Sequence, residues 1–127
     1  MSKILVVDDE SDLEILIKQK FRQKIRDRKY EFVFAVNGKN ALEKIRENED
    51  VDIVLSDINM PVMDGLQFLE ARRDQKLAEG VPVVMITTEG SEPFVLRALA
   101  AGAQGYICKP FTADQVKARV VPLLEAA

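Results

Sequence analysis

A doubly wound α/β fold, with a five-stranded parallel sheet between helices, is what this sequence predicts. Three observations predict it. Five short apolar runs alternate with longer amphipathic segments. Three of those segments open at capping-box spacing soon after an apolar run: Ser11 with Glu14, Asp64 with Gln67 and Thr112 with Gln115. Acids, hydroxyls and a lysine follow the apolar runs. Repeated strand–helix alternation implies a parallel sheet with right-handed crossovers. Ligands of such sheets bind beyond the carboxyl ends of the strands, where the strand order reverses.

The elements follow in order. "KILVV" (Lys3–Val7) reads as a buried strand. "SDLEILIKQKFRQKI" reads as one helix, with Leu13, Ile17, Phe21 and Ile25 spaced four apart on its apolar face. "YEFVFAV" (Tyr30–Val36) is the second strand, and a helix runs from about Asn40 to Glu47. "VDIVLS" (Val51–Ser56) is the third strand, and a helix covers Leu66 to about Ala78. "PVVMIT" (Pro82–Thr87) is the fourth strand, followed by the helix "EPFVLRALAAGA", which Gly102 stops. "GYIC" (Gly105–Cys108) is the fifth strand, and a last helix spans Thr112 to about Leu124. Pro122 should kink or fray that helix, because it lacks a donor and its ring clashes with the preceding turn.

Composition narrows the function. A chain of 127 residues is the size of one domain, taken here as residues 1–127. A net charge of -3 argues against direct nucleic-acid binding. No apolar run is long enough to span a membrane and no signal peptide opens the chain, so the expected location is the cytoplasm. Cys108 is the sole cysteine, which excludes an internal disulfide. With no histidine at all, Ser-His and Cys-His chemistry is excluded, and so is a phosphohistidine of the chain's own.

Carboxylates, hydroxyls and lysine are left. Asp8, Asp9 and Glu10 follow the first strand. Asp57 and Asn59 follow the third, Thr87, Thr88 and Glu89 the fourth, and Lys109 and Pro110 the fifth. A lone Asp after a strand is ordinarily a helix cap or a solvated turn residue. Polar groups at four strand ends that converge on one sheet edge are a different matter. Like charges about 4 Å apart repel by roughly 4 kcal/mol at an effective dielectric near 20. Lys109 offsets part of this, and a hard cation such as Mg²⁺ would offset the rest. A cation, an ammonium and the Thr87 hydroxyl suit phosphoryl transfer, whose transition state spreads charge over three oxygens. Asp57 is then the candidate nucleophile.

The motifs "VVDDE", "SDINMPVMDG", "ITTEG" and "GYICKPF" stand in the order and spacing of a response-regulator receiver domain, and the chain resembles that family over its whole length, with several motifs near the single-domain chemotaxis type. The resemblance implies a (βα)5 flavodoxin-like fold with strand order 2-1-3-4-5. It implies phosphorylation at Asp57 by a sensor histidine kinase or phosphotransfer protein. It implies Mg²⁺ on Asp9, Asp57 and the Asn59 carbonyl, with Asp8 acting through water. Lys109 would pair with the phosphoryl group, Thr87 would swing toward it and Tyr106 would move inward. Asn59 and Glu89 would tune hydrolysis of the label, and the Lys109–Pro110 bond would be cis. The downstream target would bind the face of the fourth helix, fifth strand and fifth helix. The chain would be a monomer or a weak phosphorylation-dependent dimer, and no enzyme beyond its own phosphorylation and dephosphorylation.

Two other functions compete. A Mg²⁺-dependent aspartyl phosphatase would carry an Asp-x-Asp pair after the first strand, which "VVDDE" lacks. A flavodoxin-like cofactor binder would need glycine and hydroxyls there, and three acids would repel its phosphate. The run "KQKFRQKIRDRK" reads as a solvated helix face or as a docking face for an acidic partner. Cys108 reads as a packed strand residue, and Met60 and Met63 as loop packing. No output domain is expected after Ala127, and the chain is read either as a stand-alone receiver or as one excised from a longer protein. All asparagines precede Gly65 and most alanines follow it, through drift or through a join of two receiver parents at that motif.

Overall fold

The computed structural model describes the backbone of residues 2–10, 12–58, 62–88, 92–109 and 112–125. Within these, the side chains at positions 12, 87, 88, 92, 94, 109, 113 and 125 are not described. The elements run β1 (Ser2–Val7), α1 (Asp12–Lys20), α2 (Arg22–Arg26), β2 (Tyr30–Ala35), α3 (Gly38–Glu47), β3 (Ile53–Asp57), α4 (Gly65–Asp74), β4 (Val83–Thr88), α5 (Glu92–Ala100), β5 (Gly105–Lys109) and α6 (Ala113–Glu125). The strands form one sheet in the order β2-β1-β3-β4-β5. Every neighbouring pair is parallel, as the strand–helix alternation predicts.

Successive strand residues point to opposite faces, and the core divides accordingly. Leu5, Val7, Val54, Val83 and Met85 pack with Ala41, Leu42, Leu66, Phe68 and Ala98, under α3, α4 and α5. Ile4, Val6, Ile53, Leu55 and Ile86 pack with Leu13, Ile17, Phe21, Val116 and Val120, under α1 and α6. Full burial of each Val, Leu, Ile, Phe or Met side chain among these contributes about 1.5–3 kcal/mol. Both halves of the chain, before and after Gly65, contribute to both cores.

The single helix expected after β1 is divided at Phe21, where φ and ψ are -102° and 17°. The bonds Phe21 N–H to Ile17 C=O (2.9 Å) and Ile25 N–H to Phe21 C=O (3.0 Å) carry the helical pattern across the break. Leu13, Ile17 and Phe21 are buried as expected, but Ile25 is 36% exposed. Residues spaced by four advance about 40° per step around a 3.6-residue helix, so three steps rotate Ile25 roughly 120° from Leu13.

Other boundaries move for local reasons. Strand β2 stops at Ala35, because the Val36 N–H is taken by Asn40 Oδ1 at 3.0 Å. Helix α3 starts two residues early, capped by Asn37, whose Oδ1 accepts the Asn40 N–H at 2.8 Å. Strand β3 begins later than expected, since the Asp52 N–H turns to the Lys3 carbonyl at 2.8 Å. Helix α6 continues through Pro122 to Glu125 rather than fraying there. The capping boxes at Asp64–Gln67 and Thr112–Gln115 form in both directions. Ser11 lies outside the described residues.

Three helices end in the same Schellman motif. The bonds are Lys29 N–H to Lys24 C=O with Arg28 N–H to Ile25 C=O, Leu77 N–H to Arg72 C=O with Lys76 N–H to Arg73 C=O, and Ala103 N–H to Ala98 C=O with Gly102 N–H to Leu99 C=O. The left-handed residues are Arg28 (φ 58°), Lys76 (φ 54°) and Gly102 (φ 107°). This is why α4 stops at Asp74, short of Ala78. The Arg72 guanidinium then ties down the chain beyond it, donating to the carbonyls of Leu77, Ala78 and Val81 at 3.3, 3.1 and 2.8 Å. A left-handed residue with a Cβ costs roughly 1–2 kcal/mol, and glycine's freedom in the unfolded chain returns about half of any gain. Lys76→Gly should therefore stabilise the fold by about 0.5–1 kcal/mol and Gly102→Ala should weaken it by about 1 kcal/mol. Urea midpoints measure both, and equal midpoints for the three proteins would contradict the assignment.

Candidate phosphoacceptor site

Strand β1 lies between β2 and β3, so the sheet order reverses there. Asp8 and Asp9 leave the carboxyl end of β1, and Asp57 is the last residue of β3. The three acids therefore meet at the crevice where doubly wound sheets bind ligands. One carboxylate oxygen from each of Asp8, Asp9 and Asp57 lies within 4.8 Å of the others.

Their settings differ. Asp9 is exposed, Asp8 half-buried, and Asp57 only 3% exposed. Asp8 extends the ladder by one step, its N–H reaching the Ala35 carbonyl at 3.0 Å. Its Oδ1 accepts the Glu10 N–H at 2.9 Å, an Asx turn that holds the acidic corner. Asp57 was expected just after the third strand and is instead inside it, in register with Ile86 of β4. The Ile58 N–H continues that ladder to the Ile86 carbonyl at 3.0 Å. The Ser56 hydroxyl donates to the Asp57 carbonyl at 3.0 Å. Backbone pairing thus aims the Asp57 carboxylate from a rigid base.

Two glycines hold the loop beyond Asp57. The Gly65 N–H bonds the Ile58 carbonyl at 2.8 Å, and the Gly38 N–H bonds the Met63 carbonyl at 2.8 Å. A Cβ on Gly65 would lie 2.3 Å from the Asp57 carbonyl oxygen; one on Gly38 would lie 2.8 Å from the Met63 carbonyl oxygen. Sequence reading missed Asn37 and Gly38, although an Asn-Gly pair straight after a strand is a visible cap and close-approach signal. Val62, in the same loop, is an exposed β-branched residue at φ 70°, a conformation such residues rarely adopt. Met63 packs on the core as a loop residue; Met60 is outside the described residues.

Thr87 and Lys109 are placed by their backbones. Thr87 pairs with Cys108 and Thr88 with Lys109, which sets both at the carboxyl edge that carries Asp57. Asn59, Glu89 and the Lys109–Pro110 bond lie outside the described residues. Tyr106, in register with Met85, is 39% exposed. Leu96 and Leu99 of α5 are exposed too. Cys108, expected to be packed, is exposed, because β5 is an edge strand. Among the described residues no helix is long and apolar enough to cross a membrane.

The three acids suit a hard divalent cation. Oxygens sharing one Mg²⁺ at about 2.1 Å can stand at most about 4.2 Å apart. A 4.8 Å limit is within reach of that by rotation of the exposed Asp9 side chain.

Comparison with known proteins agrees with this geometry. The family model for the response regulator receiver domain matches residues 4–121. The chain is 38% identical over 122 residues to the chemotaxis protein CheY homolog of Campylobacter jejuni, covering 96% of this chain and 92% of that one. It is 38% identical over 123 residues to chemotaxis protein CheY1 of Helicobacter pylori, covering 96% of each. Among solved structures, chemotaxis protein CheY4 of Vibrio cholerae superposes with a TM-score of 0.82 at 32% identity, covering 97% of this chain and 98% of that one. With the acids of β1 and β3 gathered at the switch point of a 2-1-3-4-5 sheet, and with these relatives matching it nearly end to end, the chain belongs to the response regulator receiver domain family.

Proposed function

We propose that this receiver accepts a phosphoryl group on Asp57 from a phosphohistidine of a sensor kinase or phosphotransfer protein. The observation that carries the reading is the gathering of Asp8, Asp9 and Asp57 within 4.8 Å at the switch point. An Asp57 carboxylate oxygen would attack phosphorus in line. The new O–P bond forms as the P–N bond breaks, and the partner's imidazole nitrogen leaves with the electron pair. The donor histidine must come from the partner, because this chain has none. Asp8, Asp9, Asp57 and the Asn59 carbonyl would hold Mg²⁺, which supplies positive charge against that of the transferring group. Lys109 and Thr87, on the same edge, would complete the cradle for its oxygens. Incubation with acetyl phosphate and Mg²⁺ should add one phosphoryl group to the intact mass, and none in Asp57→Ala. Equal labelling of that variant would refute the assignment.

The chain would turn over no external substrate and would work in the cytoplasm. Its output would be a changed surface on α5, β5 and α6, where Thr87 and Tyr106 couple the site to exposed Leu96 and Leu99. It would act as a monomer or a weak phosphorylation-dependent dimer. It would shed its own label by water attack on the acyl phosphate, at a rate set by Asn59 and Glu89. Asn59→Arg with Glu89→Tyr should lengthen the lifetime about tenfold, or about 1.4 kcal/mol of barrier. The decay of label after donor removal measures this; an unchanged lifetime would place control of water elsewhere.

A further inference from the structure

We propose that the outer edge of β2, with the groove beside it, docks an extended acidic segment of a partner protein as a sixth strand. Strand β2 is an edge of the sheet, and among the described residues nothing pairs with its outer side. The carbonyls of Lys29 and Ala35 accept from Ser2 and Asp8, so the odd-numbered residues of β2 turn their backbone groups toward β1. In a parallel ladder the alternate residues then point theirs away. Those residues are Tyr30, Phe32 and Phe34. Open edges of this kind recruit added strands unless they are protected.

The side chains of the same three residues shape what would fit. Tyr30 and Phe32, and Phe32 and Phe34, lie 6.4 Å apart between ring centroids and are half-buried against the α1 side of the sheet. With Lys18, Ile25 and Arg28 they line a groove of about 450 Å³. Lys18 Nζ stands 5.2 Å from the Phe34 ring centroid, at one end, while Arg28 precedes Tyr30 at the other. Lys18 also pairs with Glu14 at 2.8 Å. Glu31, the acid among the lining residues, is already paired with Lys3 at 3.4 Å. The groove is thus apolar along its length, with Lys18, shared with Glu14, at one end and Arg28 at the other.

Charge selects the occupant. Residues 18–31 carry seven bases against two acids, in a chain whose net charge is -3. A second copy joined edge to edge would bring two such basic segments together, and their repulsion disfavours it. An acidic strand is attracted instead. From position 30 to position 34 a strand advances about 13 Å, so acids four residues apart, with an apolar residue midway, match the two basic ends and the aromatic middle. The edge lies across the sheet from β5, so this partner and one on the β5 face can bind together.

The probe is the peptide acetyl-Thr-Asp-Thr-Val-Thr-Asp-Thr-amide, titrated into the ¹⁵N-labelled full chain. We expect shifts and slowed hydrogen exchange at the amides of Tyr30, Phe32 and Phe34. The same peptide with lysine in place of aspartate should give neither, and the surface variant Lys18→Glu/Arg28→Glu should bind at least tenfold more weakly while melting as a folded protein. Three results would overturn the proposal. They are shifts scattered over surface lysines without exchange protection, β2 shifts produced by raising protein concentration alone, and β2 shifts with phosphatidylglycerol vesicles but not with the peptide.

Discussion

Gly65→Ala should lose about 3 kcal/mol of stability, near the upper end for overpacking by one methyl group. The new Cβ would lie 2.3 Å from the Asp57 carbonyl oxygen, 2.7 Å from Met85 Cε and 2.9 Å from Ile58 Cα. The Met85 methyl is the end of a flexible chain and can swing aside. The other two atoms are backbone, and they belong to the strand end that carries the candidate nucleophile. They cannot yield without stretching the Gly65 N–H to Ile58 bond or the Ile58 N–H to Ile86 bond. Alanine's better helix propensity returns at most about 1 kcal/mol. For a chain of this size the melting temperature should fall by about 12 °C. Urea denaturation gives the free energy directly, and a loss under about 0.5 kcal/mol would show that the strand end yields. Labelling by acetyl phosphate should slow in the same variant even below its melt, because relief of the clash displaces Asp57.

How much of this could be read from residues alone differs by scale. Alternation, caps and apolar spacing identified five strands and the helices, because each is a short-range pattern that the parallel sheet merely confirms. Convergence of Asp8, Asp9 and Asp57 was legible too, since a doubly wound topology sends every carboxyl end to one edge. What escaped were effects decided by contact. Ile25 kept the spacing of four but drifted round the helix to the surface. Lys76 stopped α4 although no glycine marked the end, because Schellman hydrogen bonds outweighed its left-handed strain. Cys108 looked like core, but its strand proved to be an edge. The Asn37-Gly38 pair after β2 did carry a visible signal, whereas Gly65 could not be distinguished from an ordinary loop glycine until the backbone atoms it admits were located.

Asp9→Asn should make the metal-free protein more stable and the Mg²⁺-saturated protein less stable than wild type, so that the two sets of melts cross. Two unit charges at the 4.8 Å outer limit of this cluster repel by about 3.5 kcal/mol at an effective dielectric of 20. Asp9 is exposed, and water and salt reduce this to about 1 kcal/mol, or about 4 °C. Folding pays that cost because it draws Asp9 toward Asp8 and Asp57, and neutralising Asp9 removes it. A cation that binds only the native state reverses the order. At a hundred times its dissociation constant it adds about 2.7 kcal/mol, or about 10 °C for wild type. The variant, with one ligand changed from anion to amide, should gain a small fraction of this. Salt separates the two effects. Raising NaCl screens the repulsion, so the metal-free gap should narrow, whereas site-bound Mg²⁺ should still shift wild type alone. Parallel melts in EDTA and in Mg²⁺, each at low and high NaCl, measure all four quantities. Equal Mg²⁺ shifts in both proteins would remove Asp9 from the metal site. A variant less stable than wild type in EDTA would mean that Asp9 makes a favourable contact outweighing its repulsion.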